Sequence, residues 1–182
     1  MFFPQYKFSD LLKRWRSEED GLALMEFVLI FPIMMTILFG VYDLGNGFIA
    51  NQKTIAASQI ISDLITRNVS ITEDELDDII TAGQLTILPY DLGNMGYDII
   101  SVSFDSDDAP VEEWRRTVNM AENDTAFDST TALGVEGDGV VVVSIMYNYE
   151  PVFGGFVIDN IPMMEVAFAR GRRTPVVSLI ED

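Results

Sequence analysis

Leu22 to Tyr42 is apolar at every turn and carries a single charge, Glu26. At about 1.5 Å per residue these 21 residues reach roughly 31 Å, enough for a helix to cross a hydrocarbon core. Pro32 interrupts the run, which a membrane helix tolerates when a neighbour or a local distortion re-satisfies the freed carbonyl. Beyond Tyr42 the pattern turns amphipathic: Ala57, Ile60, Ile61, Leu64 and Ile65 form one apolar helical face within residues 43–68. Gly45 and Gly47 form a soft point where the helix leaves the lipid. Thr72 and Glu75 have capping-box spacing, Leu76, Ile79 and Ile80 supply a buried face, and Gly83 is the expected stop of this second helix.

From residue 97 the period becomes two. Ile100, Val102 and Phe104 alternate with Ile99, Ser101 and Ser103 as a half-buried strand, and Val111 to Val118 forms a second strand carrying Trp114. Gly139 to Tyr149, ending at Pro151, and Glu165 to Arg170 make the third and fourth, with residues 119–138 as a loop. Strands joined by short, turn-rich segments favour an antiparallel sheet. The expected fold is α+β: one N-terminal transmembrane helix continuing into a domain with a short helix and an antiparallel sheet of about four strands. The division is a leader at 1–21, the span at 22–42, the helix continuation at 43–68 and an acidic domain at 69–182.

Charge orients the chain. Lys7, Lys13, Arg14 and Arg16 precede the span and the next basic residue is Lys53, so residues 1–21 are expected in the cytoplasm and the domain across the membrane. The leader balances four basic against four acidic residues, so the whole net charge of −18 lies beyond Gly21. A domain that acidic argues against nucleic acid or anionic lipid as partner. No A-x-A-like site follows the apolar run, which argues against ordinary signal-peptide cleavage, and without cysteine there is nothing to lipidate. With neither histidine nor cysteine, the usual general base, thiol nucleophile and zinc ligands are missing. A serine–lysine pair would have to use Lys53, the one lysine outside the leader. The reading is of a non-enzyme without a cofactor or metal. Asp105-Ser106-Asp107-Asp108 and Glu136-Gly137-Asp138 offer oxygens but lack EF-hand spacing, so each reads as a solvated turn. Trp114 reads as core, and the arginines at 170, 172 and 173 as salt-bridge partners for acidic neighbours.

Glu26 remains. An acidic residue inside a span costs roughly 2.5–3.5 kcal/mol at its centre and less near its edge, so it calls for a partner. It lies five residues after Gly21, behind a leader that contains Arg14 and Arg16. This arrangement resembles the class III signal of type IV pilins and pseudopilins. Gly21, Ala23, Glu26-Phe27, Pro32, Phe39-Gly40 and Asp43 resemble more closely the opening of the TadE-like family, minor pseudopilins of tight-adherence (Tad, or Flp) pili. The match covers residues 13–48, and the late Tyr147-Asn148-Tyr149-Glu150-Pro151 is a looser echo of the same family. One departure is the acidic run Glu18-Glu19-Asp20, where type IV pilins more usually carry basic residues.

The resemblance implies cleavage after Gly21 by a prepilin peptidase, with Leu22 as the mature N-terminus and Glu26-Phe27 serving assembly and register. It also implies a place in the bacterial inner membrane beside other pilin or pseudopilin subunits and the assembly platform. The alternative is an uncleaved single-pass anchor with an acidic extracytoplasmic binding domain. A tethered enzyme built on a carboxylate pair is a third reading.

Overall fold

The structure, a computed structural model, describes residues 19–154 and 160–180, so the basic residues of the leader lie outside it. Helix α1, Glu19–Thr66, is one unbroken rod of 48 residues. Its first half is largely exposed: none of the most apolar 18-residue window is buried. Its second half seats the domain along a stripe of Ala50, Thr54, Ala57, Ser58, Ile61, Ser62, Ile65 and Thr66. The stripe is rotated from the expected face, so Ile60 and Leu64 sit at its margin, half-buried. Small side chains explain the shift. Thr54, Ser58, Ser62 and Thr66 each donate a hydroxyl to a carbonyl three or four residues back in α1, so they allow close approach and leave no polar group unsatisfied.

After α1 come β1 (Ser70–Thr72), α2 (Glu73–Ile87), β2 (Met95–Phe104), β3 (Pro110–Val118), α3 (Asp124–Asp128), β4 (Gly139–Tyr149), β5 (Ile161–Ala169) and β6 (Ser178–Ile180). Strands β2 to β5 form an antiparallel sheet in the order β3-β2-β4-β5. The three-residue strands β1 and β6 pair in parallel as a separate ribbon, with Ile71 opposite Leu179. The fold is α+β, with a helix long and apolar enough to cross a membrane.

The capping box forms as its spacing predicts: Glu75 N–H donates to Thr72 Oγ1 and Thr72 N–H to Glu75 Oε2. Gly83, however, is no stop. Helix α2 runs on to Ile87, and Gly83 lies where α2 crosses α1, with space for a Cβ only 2.4 Å from Ile61 Cγ1. The soft point at Gly45 and Gly47 is likewise helical throughout, and Gly47 lets the Tyr149 ring lie against the helix.

Strand β2 is buried on both faces rather than half-buried. Tyr97 and Ile99 join Val141, Val143 and Ile145 of β4 in the core against α1 and α2. On the opposite face Ile100, Val102, Phe104, Val140 and Val142 form a second core under Ala126, Phe127 and Leu133. The stretch 119–138 is therefore more than a loop. Its helix α3 and the 3-10 turn Ser129–Ala132 cover the outer face of the sheet.

Candidate functional site

Gly21, Leu22, Glu26 and Phe27 occupy the first turns of α1, in a region where every residue from 21 to 30 is exposed. Leu22 and Glu26 are four residues apart and share one helix face. Phe27 packs on Phe31, with ring centroids 5.3 Å apart. Among the described residues Glu26 has no hydrogen-bond or ion-pair partner. A Cβ on Gly21 would meet nothing within 4 Å, so no packing within the described chain requires glycine there; the same holds for Gly40 and Gly45.

At the far end of the apolar run the helix is hooked to the sheet. Asp43 is 7% exposed, and its two carboxylate oxygens accept the backbone N–H groups of Val152 (3.0 Å) and Phe153 (2.9 Å) in the turn after β4. Phe153 stacks on Phe39 at 4.3 Å and meets Tyr42 edge-on at 5.6 Å. Tyr149 and Tyr90 donate their hydroxyls to the helix carbonyls of Asp43 and Asn46. Burial raises the pKa of both phenols, so they stay protonated donors. Tyr149 of the Tyr-x-Tyr-x-Pro sequence thus faces the helix, Tyr147 is buried in the same core against Tyr90, and Pro151 begins the hooked turn. Hydrogen bonds to a charged group contribute about 1.5–3 kcal/mol, so Asp43→Ala is expected to destabilise this turn by about that amount. Faster hydrogen exchange at the Val152 and Phe153 amides is the check; unchanged protection would contradict the hook.

The model of the TadE-like protein family matches residues 21–61. Over that segment, less than half of the chain, the sequence is similar to the TadE-like family. The matched segment opens on Gly21 and contains Glu26-Phe27, Phe39-Gly40 and Asp43 together with most of the stripe that seats the domain. No curated protein and no solved structure matches the chain.

The sheet, outside the matched segment, carries a polar centre that the strand pattern did not reveal. Asp98, fully buried on β2, forms a bidentate pair with Arg115 (2.9 and 2.8 Å) and also accepts Thr117 Oγ1 (2.6 Å) and Asn123 N–H (2.8 Å). Burial disfavours the Asp98 charge, but the hydrogen bonds from Arg115, Thr117 and Asn123 outweigh it and hold the carboxyl below its usual range. The Asp98 bonds, offset by burial, together with Asp124 and Glu122 raise the pKa of Arg115. The signal in sequence is one aspartate within an apolar strand, facing a strand that carries Arg115-Arg116.

The remaining candidates are occupied structurally. Lys53 caps α2 by donating to the carbonyls of Thr86 (2.9 Å) and Leu88 (2.7 Å). The Asp105 carboxylate accepts the N–H groups of Asp107 and Ala109, and Asp108 accepts that of Glu136. Asp138 pairs with Arg170 and Asp63 with Arg172. Trp114 is half-buried and donates Nε1–H to the Val177 carbonyl at 2.7 Å. Among the described residues no group of three or more carboxylates is placed to hold a metal ion.

Proposed function

We propose that this protein is a minor pseudopilin of a Tad pilus, made with residues 1–21 in the cytoplasm and cut after Gly21 by a prepilin peptidase. The observation that carries the reading is the TadE-like match starting at Gly21, on a helix whose first half is apolar and exposed. A glycine inside a helix costs about 1 kcal/mol relative to alanine, and Gly21 has no packing role to offset it. Recognition by a peptidase accounts for it.

Cleavage exposes an α-amino group on Leu22 with a reference pKa near ~8, largely protonated at neutral pH. The new amine and the Glu26 carboxylate share one helix face, and a carboxylate near a helix N-terminus is favoured by the helix dipole. When apolar helices pack in the inner membrane, that carboxylate accepts the amine of its own chain or of a neighbouring pilin or pseudopilin, which fixes the axial register. The domain faces the periplasmic or extracellular side.

Glu26→Ala is expected to insert normally and to lose assembly by tenfold or more, since about 1.4 kcal/mol corresponds to each tenfold in an equilibrium. The readout is the fraction of protein crosslinked to partner pilins in membranes. Wild-type crosslinking by the variant would remove Glu26 from assembly.

A further inference from the structure

The hooked turn encloses more than a contact. Between α1 and the turn lies a groove of about 470 Å³ lined by Met35, Phe39, Gly40, Leu44, Phe153 and Ile161. Among the described residues its lining is mostly apolar, and the one carboxylate there, Asp43, is already engaged by two backbone N–H groups. Among the described residues the groove therefore offers no free charge to an ionic headgroup. Its floor reaches Met35, seven residues before Tyr42 and so about 10 Å further along the helix toward the middle of the span. Phe39 and Tyr42 sit where the span ends, and Phe153 is stacked at the same level. Val152, beside it, is 68% exposed. An exposed aliphatic side chain and an aromatic cluster at that depth are features of a membrane–water boundary.

We propose that the turn Pro151–Gly154 is a second membrane contact of this protein, and that the groove beneath Phe153 holds a phospholipid acyl chain from the leaflet on the domain's side. This rests on the reading that α1 spans the bilayer. The groove is continuous with the lipid-exposed surface of the helix, which selects a lipid chain over a polar ligand. The Asp43 hook then fixes the height and tilt of the domain over the membrane, because it ties the sheet to the helix at the boundary itself.

The test uses the full chain, one copy per phosphatidylcholine nanodisc, with a single environment-sensitive fluorophore. The protein has no cysteine of its own, so Val152→Cys supplies the label site and leaves Phe153 intact. Leu38→Cys within the span and Val135→Cys on a distant turn are the references. The expected result is that a nitroxide high on the lipid acyl chain quenches the label at 152, as it does at 38, while aqueous iodide quenches it several-fold less than at 135. Quenching at 152 by iodide alone, with position 38 quenched by lipid, would overturn the contact and leave the span standing. Loss of lipid quenching at both 38 and 152 would overturn the span reading and the contact with it. Shielding at 152 from both quenchers would mean protein fills the groove, and would overturn the acyl-chain assignment. Gly40→Leu, at a position with open space for a side chain, is expected to reduce lipid quenching at 152 without changing it at 38. Unchanged quenching at 152 would contradict lipid occupancy of the groove.

Discussion

Asp98→Ala is expected to destabilise the domain by about 3 kcal/mol, the lower end of the 3–5 kcal/mol that follows when one partner of a buried ion pair is removed. The lower end applies because Glu112, Glu122 and Asp124 still surround Arg115 within 3.5 Å. The loss also reaches further than the pair. Asp98 holds the Asn123 N–H, while Asn123 caps α3 through Ala126 N–H and reaches Ser144 on β4 at 3.0 Å. Removing the carboxylate therefore loosens the layer over Ile100, Val102 and Val142. Thermal unfolding of the full chain in detergent is expected to shift down by roughly 6–12 °C, at about 2–4 °C per kcal/mol for a chain of this size. A shift within about 2 °C of wild type would contradict a structural role for the cluster.

The acid dependence follows in sign. The folded pKa of Asp98 lies below its unfolded value, near ~3.9, so its contribution is complete above about pH 4 and is lost as pH falls through the folded value. Asp98→Asn should therefore unfold with a shallower dependence on pH below about 4 than wild type.

Gly83→Leu is expected to cost about 2–3 kcal/mol, within the range for overpacking a core. A Cβ at that position falls 2.4 and 2.5 Å from Ile61 Cγ1 and Cδ1, and Ile61 is fully buried, so its side chain has nowhere to retreat. The gain in helix propensity on replacing glycine, about 1 kcal/mol, offsets only part of this. The crossing of α1 and α2 can be isolated with Gly83→Ala and Ile61→Ala. Each single change disturbs the contact, and the double variant places the new methyl in the space that Ile61 vacates. Its stability is expected to exceed the additive value by about 1 kcal/mol. Strict additivity would mean that the two residues do not share the contact.

What the sequence revealed followed the range of each interaction. The Thr72/Glu75 box and the valine- and tyrosine-rich run of β4 are local signals, and both form where the sequence places them. The end of α2 was misread at Gly83 because a glycine serving a helix crossing has the same local signature as one serving a stop. Helix α3 has five residues and is held by its packing on the sheet, so its sequence alone reads as a loop. The ribbon of β1 and β6 joins three residues near the end of α1 to three near the end of the described chain, a pairing no local window contains. At the candidate site, Gly21, Leu22, Glu26 and Phe27 are singled out by charge placement and family resemblance, and their roles rest on the proposed function. Asp43 entered only as part of that resemblance, and its use as a hook depends on a turn more than a hundred residues away.

The most direct test of the pseudopilin reading is the intact mass and N-terminal sequence of the protein from membranes, with and without a co-expressed prepilin peptidase. Removal of 21 of the 182 residues is predicted, giving a chain of 161 that begins at Leu22, only when the peptidase is present and not in Gly21→Ala. A chain that still begins at Met1, beside a peptidase shown to cut a control pilin, would contradict it and leave an uncleaved, membrane-anchored protein.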